Sequence, residues 1–496
     1  MTGKTIEFDS NADLNTQAIL EIINLKGYKI QEFPEIQLEE ALKLPTRGNQ
    51  TNSIDFVVTG GRKLSGSVDT NCSKNGAMGL LCCSLLNKGT TTLHSIPRIE
   101  EVYRIIEVLV SIGVQAIWTG KNILKITPPH KFDLSTINNV SASKTRTILM
   151  FIAPLMHVFD QFSLPNSQGC NLGLRTINPH LFGLEKFGIN VQVTETEYVV
   201  SSPFGRDKNP NPIPEDREII MWESSDTGAE ILLMAAALTG SKTVIKYVSS
   251  NYMVREVCYF LEKCGVKIDG IGTQTLTVHG IREINQDIEY YNSEDPIETM
   301  MFICAAAVTG SQITINRSPI EYLELELLKL EKMGLKYEMS CHYLSKNEKT
   351  KLVDLTVYPS SFTALDDKIT CGAYPDINMD NLPFFVPIAC LARGESLIHD
   401  WVYENRAIYF TELNRLGGNI KLADPHRVYI KGPIVFKPAQ VVCPPALRPA
   451  MIILLGMLGA PGGVSVLRNV YSIKRGYEQV AERLNTLGAD IRIISH

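Results

Sequence analysis

The chain has 496 residues and a net charge of −5; 44% of the residues are hydrophobic and 20% charged. That balance is ordinary for a globular protein of roughly two to four domains with a large core. It excludes the basic footprint of a nucleic-acid binder and a polybasic membrane surface, and no run of about 18 apolar residues marks a transmembrane helix.

The first fifteen residues are polar and acidic and do not read as a secretory signal. Ser10 or Asn11 can cap a helix from about Asp13 to Leu25, and residues 1–56 read as an N-terminal extension packed on the body. Lys74 and Asn75 are expected just before a helix of small and apolar residues, where helix-end amides favour an anion. A solvated surface lysine is the plainer reading. The stretch SASKTRTIL supplies Lys144 and Arg146. Cys170 lies in a Gly/Ser/Asn loop with Arg175 five residues on, and an arginine near a thiol favours the reactive thiolate; an inert cysteine is equally compatible. Residues 204–217, with Pro210, Pro212 and Pro214, read as a surface loop. Asp376 and Asp380 precede a helix that is apolar almost all round. Asp380 is either that helix's cap or a general base. Glu404, Arg406, Arg448 and Arg475 follow. Scattered arginines of this kind suit a phosphorylated or carboxylated ligand if folding brings them together. The 11 cysteines form no CxxC pair and no zinc pattern, which points to a reducing compartment such as the cytoplasm. No Walker, GxGxxG, HExxH or GxSxG motif occurs, so no cofactor or metal is expected.

One unit recurs six times. A short helix ends in Gly near Gly113, Gly188, Gly265, Gly334, Gly417 and Gly488, at intervals of 75, 77, 69, 83 and 71 residues. Upstream of most copies lies an apolar helix end, a Gly stop and an alternating strand: LLNKGTTTLHSIP, ALTGSKTVIKYV, AVTGSQITINRS, LARGESLIHDWV and LGAPGGVSVLRNV. A period near 70 residues is longer than that of solenoids and predicts compact α/β subdomains.

Together these segments resemble the enolpyruvyl transferase family, over roughly residues 57–496. SKNGAMGLL is similar to the family's Gly-Ala-Lys-Asn-Ala-Ala motif. QGCNLGLRTINPHLFGLEKFG resembles its cysteine loop, near 163–175, with Cys170, Arg175 and His180 in place. Asp380 to Gly394 resembles the catalytic-aspartate helix, and the last two repeats match WVYENRAIYFTELNRLGG and SIKRGYEQVAERLNTLGAD. Asn75 and the cysteine loop set the chain with the UDP-sugar branch rather than the shikimate branch. The resemblance implies an inside-out α/β barrel of two lobes, each of three βαβαββ-type subdomains. One lobe takes residues 74–293, the other 57–73 with 294–496. It implies addition and elimination: phosphoenolpyruvate gains a proton at C3, an acceptor hydroxyl attacks C2, and phosphate leaves. Lys74, Arg175 and Arg475 would hold the phosphate and carboxylate. Cys170 would act as acid or transient covalent partner and be alkylated by fosfomycin. Asp380 would take the acceptor proton, and Asn75 would orient the intermediate. Arg146, Arg406 and Arg448 would support closure or ligand, with His180, Asn178, Thr227 and Gly228 as further substrate-binding residues. The acceptor implied is a uridine nucleotide.

The acceptor half departs from the family pattern. In WESSDTGAE, Ser224 stands for the family's lysine and Asp226 for its serine. The arginine expected near the following helix is Ser250, the Asp on the uracil side is Asn178, and the Asp before Arg448 is Ala446. An acidic side chain beside a diphosphate costs on the order of 1 kcal/mol unless paired. Two acceptors follow: the 3-hydroxyl of UDP-N-acetylglucosamine, or a different one such as the 3′-hydroxyl of UMP. A non-catalytic, sugar-nucleotide-binding relative would be expected to have lost Lys74, Cys170 or Asp380, and all three are present.

Overall fold

The computed structural model describes residues 54–166, 176–205 and 215–496. The expected helix at 13–25, Cys170, Arg175 and most of the 204–217 loop lie outside the described residues.

Among the described residues six sheets of three to five strands form, and their pairing falls into two groups. The described strands between Thr91 and Tyr291 pair among themselves, as three sheets of the described residues. The strands Ile54–Thr59 and Ser67–Asp69 instead join strands that come after residue 312. Ile54–Thr59 runs antiparallel to both Val464–Arg468 and Asp490–Ser495, so the first described strand is closed in by the last two. Ser67–Asp69 pairs in parallel with Ile313–Ser318. The chain passes between the two groups twice, and Cys72 and Glu294 bridge at that passage.

The repeat signals have a backbone basis. All six repeat glycines have positive φ, from 75° at Gly188 to 113° at Gly334. Left-handed backbone after a helix satisfies its last carbonyls and disfavours a side chain bearing Cβ, so the sequence shows glycine there. The alternating segments are strands at Thr91–His94, Lys242–Lys246, Ile313–Ser318, Gly394–His399 and Val464–Arg468.

Several helices are apolar all round and are therefore enclosed. Every residue of Pro296–Thr309 is buried, and this helix packs on Phe385–Leu391 and Leu447–Leu458. In the other group, Lys74–Cys83 packs on Tyr252–Lys263, which also meets Asp226–Ala237. Charged residues stand at the starts of several of these helices, although Glu230 is buried within Asp226–Ala237. Lys74 opens one, Asp226 opens another, and Arg448 is second in a third. Lys74 and Asn75 thus lie within the first turn and not before it, because Ser73 takes the cap and accepts from the amide of Gly76.

Candidate active site

Helix starts and the loops between elements bring the charged residues together. The Lys74 amide donates to Asp295 (3.3 Å), the residue that caps Pro296–Thr309. Its ammonium lies 2.9 Å from Glu101, and Arg475 approaches the same carboxylate at 3.8 Å. Next to Arg475, Gly476 leaves room first for Leu447, whose Cδ2 a Cβ there would overlap, and then for the Lys74 stem, whose Cδ would stand at 3.3 Å. Tyr477 then accepts from Arg448 at 2.7 Å. One three-residue segment therefore touches both sides of the cluster.

Asp380 does not cap the apolar helix that follows it. Its carboxylate pairs with Arg448 (3.1 Å) and Arg406 (3.7 Å). Burial alone would raise its pKa, but Arg448, Arg406 and Lys74 outweigh burial and hold it below the usual carboxylate range. Arg406 is itself buried. It is fixed by Asp400 (2.5 Å), by the carbonyl of Met379 (2.6 Å) and by the face of Tyr403 (4.1 Å). Asn75 donates to the hydroxyl of Tyr252 at 3.0 Å, and Tyr252 packs edge-on against Tyr322.

The residues expected to bind substrate on this side lie at the starts of two further helices. Asn178 is exposed and His180 buried in the first turn of Asn178–Glu185. Thr227 and Gly228 follow Asp226 in the next helix, whose cap, Ser225, accepts from Gly228. Asp226 is recessed and accepts from Ser249 (2.5 Å) and Asn251 (3.1 Å). Burial raises its pKa, and the negative charge of Asp380 adds to the rise. Ser224 is exposed. Arg255 does not replace the arginine missing at Ser250, because its guanidinium is tied to Glu321 (2.5 Å) and lies over Tyr322 and Tyr374. Arg146 is half-buried at the start of a short 3-10 helix.

Residue-by-residue reading missed Glu101, Tyr252, Tyr477 and Asp400. Glu101 carried one signal, its place in the first turn of Glu100–Ser111 after the repeat's strand end.

Residues 58–484 match the family model for EPSP synthase (3-phosphoshikimate 1-carboxyvinyltransferase). The chain belongs to that family. Its curated relatives include the UDP-N-acetylglucosamine 1-carboxyvinyltransferases of Campylobacter hominis and Bradyrhizobium diazoefficiens. The first is 31% identical over 88% of this chain and 99% of its own length; the second is 29% identical over 88% and 98%. Among solved structures, the enolpyruvyl transferase NikO from Streptomyces tendae superposes with a TM-score of 0.76 at 20% identity, covering 90% of this chain and all of that one. This enolpyruvyl transferase has the mixed α/β fold of its structural neighbours, and none of its described helices is long and apolar enough to cross a membrane.

Proposed function

We propose that this enolpyruvyl transferase moves the enolpyruvyl group of phosphoenolpyruvate onto a hydroxyl of a uridine nucleotide, with UDP-N-acetylglucosamine as the first acceptor to test. The observation that carries this is the convergence of Lys74 and Arg475 with the Arg448–Asp380–Arg406 group. Cations beside a half-buried carboxylate suit an anionic substrate whose acceptor must lose a proton. The reading divides the chain as two lobes of an inside-out α/β barrel, residues 74–293 against 57–73 with 294–496, with the site in the cleft between them. Six sheets paired in two groups support that division. On this reading the enzyme works in the cytoplasm.

In the reaction proposed, a proton adds to C3 of phosphoenolpyruvate and the acceptor oxygen bonds to C2. Asp380 takes the hydroxyl proton. The C2–O bond to phosphate then breaks, C3 gives up a proton, and the enolpyruvyl ether and inorganic phosphate leave. Lys74, Arg175 and Arg475 neutralise the phosphate and carboxylate, and their contacts strengthen as the cleft excludes water. Cys170 is the proposed acid or transient covalent partner. Asn75, held by Tyr252, orients the tetrahedral intermediate. Tyr252→Phe keeps the ring packing and removes one hydrogen bond worth about 0.5–1.5 kcal/mol. It is therefore expected to lower kcat roughly two- to tenfold in steady-state assays.

A second acceptor is favoured by one observation. Asp226 stands where the family places a serine, and a carboxylate that accepts from the neutral donors Ser249 and Asn251 suits a hydroxyl-bearing ligand better than a diphosphate. Phosphate release from phosphoenolpyruvate, measured with UDP-N-acetylglucosamine or UMP and with Cys170→Ala as control, tests both. Turnover with the UDP-sugar supports the first acceptor, turnover with UMP alone the second, and release with neither counts against the proposal. If Asp226 decides the choice, Ser224→Lys with Asp226→Ser should raise kcat/KM for the UDP-sugar by about tenfold or more, the equivalent of about 1.4 kcal/mol.

Fosfomycin alkylation is a separate check on Cys170. Burial pushes the thiols of Cys82, Cys83, Cys258, Cys304, Cys371, Cys390 and Cys443 up and keeps them unreactive. Peptide mapping is expected to find the adduct on Cys170, and its absence there would remove this cysteine from the chemistry.

A further inference from the structure

Lys74 and Arg475 meet the same oxygen of Glu101, and the Thr145 hydroxyl donates to the other oxygen at 3.4 Å. The Glu101 side chain is only 12% exposed and that of Lys74 14%. Burial pushes the Glu101 carboxyl up, but Lys74 and Arg475 pull it below its ordinary value, so it stays ionised. Its place in the first turn of Glu100–Ser111 also favours negative charge. An oxyanion on an ammonium and a guanidinium is the contact that a substrate phosphate oxygen would make with the same two side chains. Three charged groups from three distant parts of the chain are thus arranged as a cation pair with an anion of its own.

We propose that Glu101 is a positioning residue that competes, as a tethered internal anion, with substrate and product phosphate for Lys74 and Arg475. This rests on the reading of those two cations as the phosphate cradle. When phosphate takes both cations, Glu101 must give up its pairing, which weakens phosphate binding. When inorganic phosphate leaves, the carboxylate returns and the cradle is neutral enough to let it go. The tether also holds the Lys74 ammonium in place between turnovers. Competition and simple orientation predict opposite effects on phosphate affinity, so the role can be tested.

The experiment measures binding of inorganic phosphate to the full chain by calorimetry, and its inhibition of turnover, in wild type, Glu101→Gln, Glu101→Asp and Lys74→Ala. Competition predicts that Glu101→Gln binds phosphate about three- to thirtyfold more tightly and loses kcat as phosphate release slows. Glu101→Asp keeps the charge one methylene further back, and its affinity should fall between those of wild type and Gln. Weaker or unchanged phosphate binding in Glu101→Gln, while Lys74→Ala abolishes it, overturns the inference and leaves the cradle standing. Phosphate binding that is indifferent to Lys74→Ala overturns both. If Glu101→Gln does not fold, Glu101→Asp decides: phosphate affinity at or below wild type refutes competition.

Discussion

Asp380→Asn is expected to lower kcat by about 10²–10⁴-fold, the usual worth of a positioned general base, with little change in KM for phosphoenolpyruvate. The variant keeps the size of the side chain and removes the negative charge that Arg448 and Arg406 share. Asparagine can still accept from Arg448, but it cannot take a proton from an attacking hydroxyl. The same cations set the pH behaviour. They hold Asp380 below the ordinary carboxylate range, so the ionised form, the proposed base, persists to lower pH than for a free aspartate. The acid limb of kcat should therefore not be set by Asp380 in the range where free carboxylates titrate. Arg448→Ala removes the largest of the lowering charges, so it should raise the pKa of Asp380 and bring an acid limb to higher pH. A kcat–pH profile of wild type and Arg448→Ala checks the sign; a limb that moves down instead excludes Asp380 as the base.

Arg406→Met is expected to cost about 3–5 kcal/mol of stability, because it leaves a buried charge without its partner. The stranded group is Asp400, whose side chain is 0% exposed. Its other side-chain contact is the thiol of Cys371 at 3.7 Å, too weak a donor to compensate. Pairing Arg406→Met with Asp400→Asn removes both charges and should recover part of the loss. Urea denaturation of the two single variants and the double variant measures the coupling. If Arg406→Met alone is nearly neutral, the pair contributes little and Arg406 acts chiefly on Asp380. The variant should also lose activity, since Arg406 supports Asp380 directly and holds the Met379 carbonyl beside it.

The recurring glycine turns and alternating strands were legible because their signals are local. A left-handed turn after a helix disfavours side chains, so Gly113, Gly188, Gly265, Gly334, Gly417 and Gly488 mark the unit wherever it occurs. A strand with one buried face alternates, and a helix enclosed on all sides is apolar throughout, as in Pro296–Thr309. Lys74 and Asp380 stood out for a related reason, as polar residues at the edge of apolar runs. Their immediate setting was less legible. Lys74 turned out to be the first helical residue because Ser73 takes the cap, and Asp380 turned out to be an ion-pair partner because two arginines outcompete the helix amides for its carboxylate.

Residue identity along the chain thus determined the family, the repeat and the residue types available for chemistry, since backbone conformation and burial act over a few residues at a time. Tertiary structure alone decided which charge meets which. Glu101 reaches Lys74 and Arg475, Tyr477 reaches Arg448, and Asp226 is held by Ser249 and Asn251. Coulombic and hydrogen-bond terms depend on distance and burial in space, and both are set only once segments far apart in sequence pack together.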